Sequence, residues 1–505
     1  MPADAAISPP GRASHGKILD HVGLGVLTRF LPPDVVDEVL ADWRPTHGKR
    51  ARTRALPARF GVYFVLALCL FSHLNSVDVA GQMVAGVAGR LRAAGWRIPS
   101  STALSKLRAR LGSAVFAQLL QRVASPLTAG RASWSHLGEL LLVAWDGTSI
   151  ATAASPANRA DFNPPGAPQG VGGSHYPNLT LLTLIACGTR ALLGASMDSF
   201  GDEHRLACRL LDRLGPGMLL LADRNFFGHR LWQQAGATGA ELLWRVKSGV
   251  HLPLVQQLPD GSYLTALVSR YERKKKDTRE RARRRNQVKN PRPDPPMKAT
   301  LARVIVCLIT ITLDDGTTRT EPYQLVTTLL DHRTHPAAAL AAAYAERWCC
   351  ETSLAELKTR LRGSHRLLRA QHPDTVRQET YAYLIVYQAI RWVIVHAAAG
   401  RLDPDRISFT HTLNAIRTTH SHPATALADI EASILDPRHL NPHRPGRIHP
   451  RALWRVYASY PSRHKHTTPI ARNAAYSLTV LRPTSHPQSP SRSAQTSQTA
   501  AASDP

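Results

Sequence analysis

Apolar residues recur at helical spacing from Ile18 to about Ala124, interrupted at Pro32-Pro33, Pro45 and Pro99, which predicts an all-α domain over residues 17–125. Its most apolar stretch, residues 60–71, falls well short of the roughly 20 residues that a bilayer crossing requires. A buried helix is expected there, and no membrane partner. The texture changes at Glu139. The apolar residues 140–144 lead into Trp145-Asp146-Gly147-Thr148, read as a buried strand that ends on an acid and a glycine turn. Residues 179–185 and 191–195 flank Gly188 as an antiparallel hairpin, residues 204–214 return to helical spacing, and residues 218–222 form a second buried strand that runs into Asp223. Strand, hairpin, helix, strand and helix in that order describe a mixed α/β layer, the first part of a core over residues 138–245.

Between residues 246 and 336 the β signal dominates, in residues 302–313, an Asp315-Gly316 turn and residues 323–329, so an inserted β-rich subdomain is expected. Within it, residues 270–285 carry Lys274-Lys275-Lys276 and Arg283-Arg284-Arg285, read either as a mobile solvated loop or as a clamp on DNA. Helical spacing resumes at Ala337 and continues through residues 375–399, making residues 337–400 the second part of the core. A C-terminal region, 401–466, follows. Disorder is expected for residues 1–16 and for the Ser- and Pro-rich tail, 467–505.

Composition adds a partner. The 63 Lys and Arg against 36 Asp and Glu leave a formal charge of +27, which favours a polyanion, nucleic acid first. Part of that excess is arginine in an alanine-rich chain, a bias that a GC-rich genome also produces. Lys49, Arg50, Arg52, Arg54 and Arg59, with Arg90, Arg92 and Arg97, form either a solvated rim or a DNA-contacting surface of the helical domain. The six cysteines show no zinc spacing and point to a reducing compartment, so a cytoplasmic protein is expected. His420-Ser421-His422 and His464-Lys465-His466 have no acid or cysteine in step and read as loop residues, and Gly170-Val171-Gly172-Gly173 lacks the Lys-Ser/Thr of a phosphate loop.

The candidate chemistry lies in three acids. Cutting a phosphodiester without a covalent enzyme intermediate calls for an activated oxygen nucleophile and charge neutralisation at the leaving oxygen, which two divalent cations on carboxylates supply. Asp146 and Asp223 each close an apolar strand and converge if those strands are neighbours; singly, one reads equally as a turn and the other as a helix cap. Tyr344, Arg347, Glu351 and Lys358 stand at i, i+3, i+7 and i+14 in a stretch free of Pro and Gly from Ala337 through Arg362, on one face of a helix. That stripe offers a phosphate-binding guanidinium, a phenol donor, an ammonium and, at Glu351, the third carboxylate. The alternative is a surface helix with an Arg347–Glu351 ion pair. Glu346 and Glu356 are rival acids, each about 140° around the helix from Glu351.

Tyr344, Arg347, Glu351 and Lys358 match the Tyr-x2-Arg-x3-Glu-x6-Lys signature of the IS4 family of bacterial DDE transposases, which this chain resembles. Asp146-Gly147-Thr148 is similar to that family's first-acid block and Leu219-Leu220-Leu221-Ala222-Asp223-Arg224-Asn225-Phe226 to its second. The segment from Tyr176 through Thr189 and the helical domain, including residues 52–57, extend the likeness to roughly residues 17–465. The resemblance implies an α/β fold: an RNase H-like mixed sheet flanked by helices, with an inserted β-rich subdomain and an N-terminal all-α domain. It implies Asp146, Asp223 and Glu351 as catalytic and metal-binding residues, Tyr344, Arg347 and Lys358 on DNA, and two Mg²⁺ ions that Mn²⁺ can replace. It also implies cutting of double-stranded DNA at an element's terminal inverted repeats, joining to target DNA, and a homodimer in the synaptic complex. Residues 151–155 depart from the acidic or polar stretch common in the family. Members often flip a base onto an aromatic residue; Trp232 and Trp244 lie near the expected site but read as core. Two rivals stand beside this function, an RNase H-like nuclease that never joins DNA and a non-catalytic DNA-binding regulator.

Overall fold

The computed structural model describes residues 18–19, 22–43, 56–128, 130–162, 176–199, 201–247, 249–250, 252–285, 299–313, 316, 318–364, 366–419, 426–442 and 474–482. Local capping chemistry sets the helices of the N-terminal region: α1 (Pro33–Ala41), α2 (Ala58–Leu70), α3 (Ser76–Val84), α4 (Ser101–Leu111) and α5 (Ala114–Val123). Pro33 opens α1, where a missing N–H leaves no hydrogen bond unmade. Asn75 caps α3 by accepting from the Val77 and Asp78 N–H groups, and Ser100 caps α4 by accepting from Ala103. Every residue of α2 from Phe60 to Leu70 is buried, so the apolar run is the central helix of this bundle. Among the described residues no helix is long and apolar enough to cross a membrane.

The apolar runs that follow build one mixed sheet. Strands β1 (Leu140–Ala151), β2 (Asn178–Ala186), β3 (Ala191–Asp198), β4 (Met218–Ala222) and β5 (Glu241–Val246) lie in the order β3-β2-β1-β4-β5. β1, β2 and β3 are antiparallel neighbours, while β4 runs parallel to β1 and β5 parallel to β4. Helices α6 (Glu203–Cys208) and α7 (His229–Gly236) connect the later strands. This is the mixed sheet expected of an RNase H-like core. The insertion does not stand apart from it: β6 (Tyr263–Val268), β7 (Ala299–Leu313) and β8 (Thr318–Thr327) continue the same sheet beyond β5 in the order β8-β7-β6. The junction is the pairing of Gln324–Thr327 with Leu243–Val246.

Two expectations are corrected. Residues 270–285 are not a loop but helix α8 (Arg270–Arg285), a run without Gly or Pro in which Lys276 and Glu280 pair one turn apart at 3.8 Å. Within the tail expected to be disordered, Ala474–Leu481 forms β9 along the outer half of β7, its Tyr476, Leu478 and Val480 alternating with smaller or polar residues as an added strand requires. Residues 1–16, Lys49 to Arg54, Gly170 to Gly173, His420 to His422 and His464 to His466 lie outside the described residues.

Period-two alternation gives the sheet two apolar faces. On one, Leu142, Ala144, Leu219 and Leu221 join a cluster with α9 (Ala337–Tyr344), α10 (Trp348–Ala355) and the long α11 (Pro373–Ala398), which also packs on α2 and α5. On the other, Trp145, Leu220 and Ala222 meet Leu206 and Ala207 of α6 and Trp232 of α7. Trp232 and Trp244 are core residues, as read from the sequence; both are fully buried, edge to face at 5.2 Å, with Trp145 a further 5.8 Å from Trp244.

Candidate active site

Parallel register brings the first two acids together. Leu141 lies opposite Met218 and the pairing steps on to Ala144 opposite Leu221. Asp146 and Asp223 each lie two residues beyond that last pair. β4 ends at Ala222, whereas β1 continues to Ala151 paired with β2, so a crevice opens at the carboxyl ends of the strands, the usual place for a ligand in an open α/β sheet. The glycine after Asp146 is therefore no turn: Gly147 stays in the strand opposite Leu182. The Asp146 carboxylate accepts the Gly147 N–H at 2.9 Å. Burial pushes its pKa up to about 6, with Arg347 pulling it down and Glu351 and Glu203 adding to the rise.

The third acid arrives on the helical run after Pro336. That run is not one regular α-helix: α9 passes through a 3₁₀ turn (Ala345–Arg347) into α10, which ends in a π-helical turn (Glu356–Leu361). α10 packs over β1, with the Cys350 thiol 3.8 Å from the Ala144 carbonyl oxygen. Glu351 faces the crevice from one turn further than Arg347, whose Nη2 donates to its Oε1 at 2.7 Å. The Arg347 residue is only 8 % exposed. Burial opposes its charge, but the fields of Tyr344, Glu351 and Asp223 outweigh burial and hold the guanidinium firmly protonated. Lys358 donates from Nζ to Thr148 Oγ1 at 2.8 Å, two residues past Asp146 on β1, and burial followed by the nearby Arg362 lowers its pKa.

Tyr344 is expected to donate to a phosphate. Its ring is buried, and its hydroxyl donates to the Ala222 carbonyl at 3.2 Å, the residue before Asp223. It fixes the end of β4. Of the rival acids, Glu356 lies in a buried polar cluster, 2.7 Å from Arg190, 3.8 Å from Arg391 and 3.1 Å from the Tyr387 hydroxyl. Glu346 accepts from the Cys349 thiol at 3.5 Å.

Whether these residues suit a divalent cation is a question of donor chemistry. Among the described residues no three His, Cys, Asp or Glu side chains already stand at ligation spacing. The groups facing the crevice are nonetheless carboxylates, the oxygen donors that hard cations such as Mg²⁺ prefer. Asp146 is a half-buried carboxylate whose charge burial disfavours, and no hydrogen bond from the described residues reaches the Asp223 side chain. A cation would relieve both. Glu351 gives only Oε1 to Arg347, and its second carboxylate oxygen is left to offer a cation.

One neighbouring acid escaped the sequence reading. Glu203, the first residue of α6, rests against β1: a Cβ built on Gly147 would overlap its Oε1. Burial raises the Glu203 pKa and the fields of Asp223 and Asp202 add to it, against the effect of His204. In the sequence Asp202-Glu203 looks like any pair of acids at a helix start.

The family model described as Insertion element 4 transposase N-terminal matches residues 21–121, and that described as Transposase DDE domain matches residues 139–388. The transposase InsG for insertion sequence element IS4 of Escherichia coli (strain K12) is 21% identical over 392 residues, which cover 77% of this chain and 80% of that protein.

Proposed function

The chain belongs to the IS4 family of DDE transposases and is an insertion-sequence transposase, a DNA-binding enzyme that depends on divalent metal; from that premise we propose that Asp146, Asp223 and Glu351 are its catalytic and metal-binding carboxylates. The observation that supports this assignment is the parallel register of β1 and β4, whose last pair, Ala144 and Leu221, comes two residues before Asp146 and Asp223, on the strand over which the helix bearing Glu351 packs. We assign Mg²⁺ as the metal, two ions per site, with Mn²⁺ able to substitute. Bound there, such ions neutralise charge on the scissile phosphate and activate the attacking oxygen.

The chain's own residues divide the remaining work. Arg347, with its planar fork of donors, and Lys358, as a point charge beside Thr148, hold the DNA backbone along the crevice. Tyr344 positions Asp223 through the Ala222 carbonyl rather than touching DNA. DNA contact extends to the N-terminal domain, residues 17–125, and to α8. The substrate is double-stranded DNA, first the terminal inverted repeats of the element and then the target. Hydrolysis at the element end frees a 3′-hydroxyl, and its attack on target DNA exchanges one phosphodiester for another without an external energy source. Holding both partners in line is the protein's main contribution. The working assembly is a homodimer that synapses two ends, at the nucleoid in the cytoplasm.

The test is Mg²⁺- or Mn²⁺-dependent nicking and joining of labelled element ends by Asp146→Ala, Asp223→Ala and Glu351→Ala. Each substitution is expected to lower both activities by about a thousandfold or more, the loss of several kcal/mol of transition-state stabilisation. Full activity in any one variant removes that residue from the site. Cutting by the unsubstituted chain with no joined product would mark a nuclease instead.

A further inference from the structure

Asp146 and Gly147 face opposite sides of β1, because successive strand residues alternate. Asp146 shares the side of Leu142 and Ala144, where α10 brings Glu351. Gly147 shares the side of Val143 and Trp145, where α6 packs through Leu206 and Ala207. At that position a side chain would collide with the Glu203 carboxylate, which occupies the space that the glycine leaves. Gly147 has neither a turn to make nor a left-handed backbone to adopt; it lies in an extended, paired strand. Its missing side chain is what lets Glu203 approach the backbone next to Asp146.

We infer that Glu203 is a fourth carboxylate of the metal site, reaching the crevice from the face opposite to Glu351 and holding a divalent cation together with Asp146 and Asp223. The inference rests on the site proposed above. Three features support it. Among the described residues no hydrogen bond or ion pair engages the Glu203 carboxylate, although the residue is half-buried. Its negative charge acts on Asp146, and that of Asp223 acts on it, so the three groups share one electrostatic neighbourhood. Its helix begins after the β2–β3 hairpin and before β4, so α6 delivers it to the same sheet end at which Asp146 and Asp223 emerge. Three carboxylates gathered in one neighbourhood repel one another, and a hard cation turns that repulsion into attraction.

The experiment is a Mn²⁺ titration of the full chain without DNA, followed by calorimetry and by the spin-resonance signal of free Mn²⁺, so that no turnover is needed. Glu203→Gln keeps the shape and removes the charge; it is expected to weaken Mn²⁺ binding about tenfold or more. Asp146→Asn is the reference for the proposed site, and Glu139→Gln, an exposed residue paired with Arg131, is the neutral control. Gly147→Ala retains Glu203 but fills its place, and is expected to match the loss seen in Glu203→Gln, with no further loss when the two are combined. Wild-type Mn²⁺ affinity in both Glu203→Gln and Gly147→Ala, with binding lost in Asp146→Asn, overturns the inference and leaves the three-acid site standing. Unchanged affinity in Asp146→Asn as well would overturn the site itself.

Discussion

Asp146 sits where most of the water has been removed, and the Gly147 N–H at 2.9 Å is a weak substitute for a hydration shell. With a pKa near 6 in the fold against about 3.9 in an unfolded chain, the ionised group opposes folding above pH 6. The sign follows from proton counts. Between those two values the native state holds the proton more tightly, so stability rises as pH falls through 6 and the gain is complete below the unfolded value. In metal-free protein Asp146→Asn is therefore expected to be more stable than the wild type at pH 8, by about 1–3 kcal/mol, and nearly equal to it at pH 4. Thermal melts at the two pH values decide this; an equal or lower melting temperature for the variant at pH 8 would contradict it. Tyr344 makes a second residue-scale case, because its hydroxyl bonds the chain end of β4. Tyr344→Phe should cost about 1 kcal/mol of stability through one lost hydrogen bond. It should also lower the cleavage rate at saturating DNA while leaving DNA affinity and its salt dependence unchanged. A changed salt slope would return Tyr344 to the DNA surface.

At the level of elements, legibility in the sequence depended on whether a segment buries one face. The strands that lead into Asp146 and Asp223 were readable because they are buried on both sides and appear as unbroken apolar runs. The Glu351 stripe was readable from its charged spacing, although a 3₁₀ turn and a π-turn bend the run that carries it. Helix α8 was not, since charge on all sides leaves no hydrophobic period to detect. Nor was the continuity of the insertion with the core sheet, because a strand's sequence does not name its partner: Gln324–Thr327 could have paired with any free edge. Gly147 was misread for a related reason, as Asp-Gly signals a turn unless a distant side chain needs the space. Helix α8 also carries its own prediction. Lys274, Lys275, Arg284 and Arg285 are exposed on it, and if they lie along a DNA backbone each releases counterions on binding. Replacing all four with Gln should make the slope of log affinity against log salt shallower by about one to three units, with weakening that is uniform across DNA sequences. An unchanged slope would place α8 away from DNA.

For the molecule as a whole, α11 decides how the N-terminal bundle and the mixed sheet act together. It lies buried between them, and its polar residues bond to both sides. Gln378 donates to the carbonyls of Arg108 and Gly112 in the bundle at 2.8 Å each, and Arg108 in turn pairs with Glu379 at 3.2 Å. Gln388, fully buried, accepts the Leu192 N–H of β3 at 2.6 Å and donates to the carbonyls of Val123 at 3.3 Å and Ser125 at 3.0 Å, just where the bundle ends. One amide thus ties the last bundle helix to the sheet, in a place where an unmet polar group has no water to turn to. Such a join makes the bundle and the sheet a single cooperative unit, which holds the bundle at a fixed distance from the acids of the sheet. Gln388→Ala would strand the Leu192 N–H and leave a cavity, and is expected to destabilise the protein by about 2–4 kcal/mol. Calorimetry of the unsubstituted chain should show one transition that spans both parts, and the variant should lose cooperativity, its bundle melting apart from its sheet. Two separate transitions already present in the unsubstituted chain would show that α11 does not couple them.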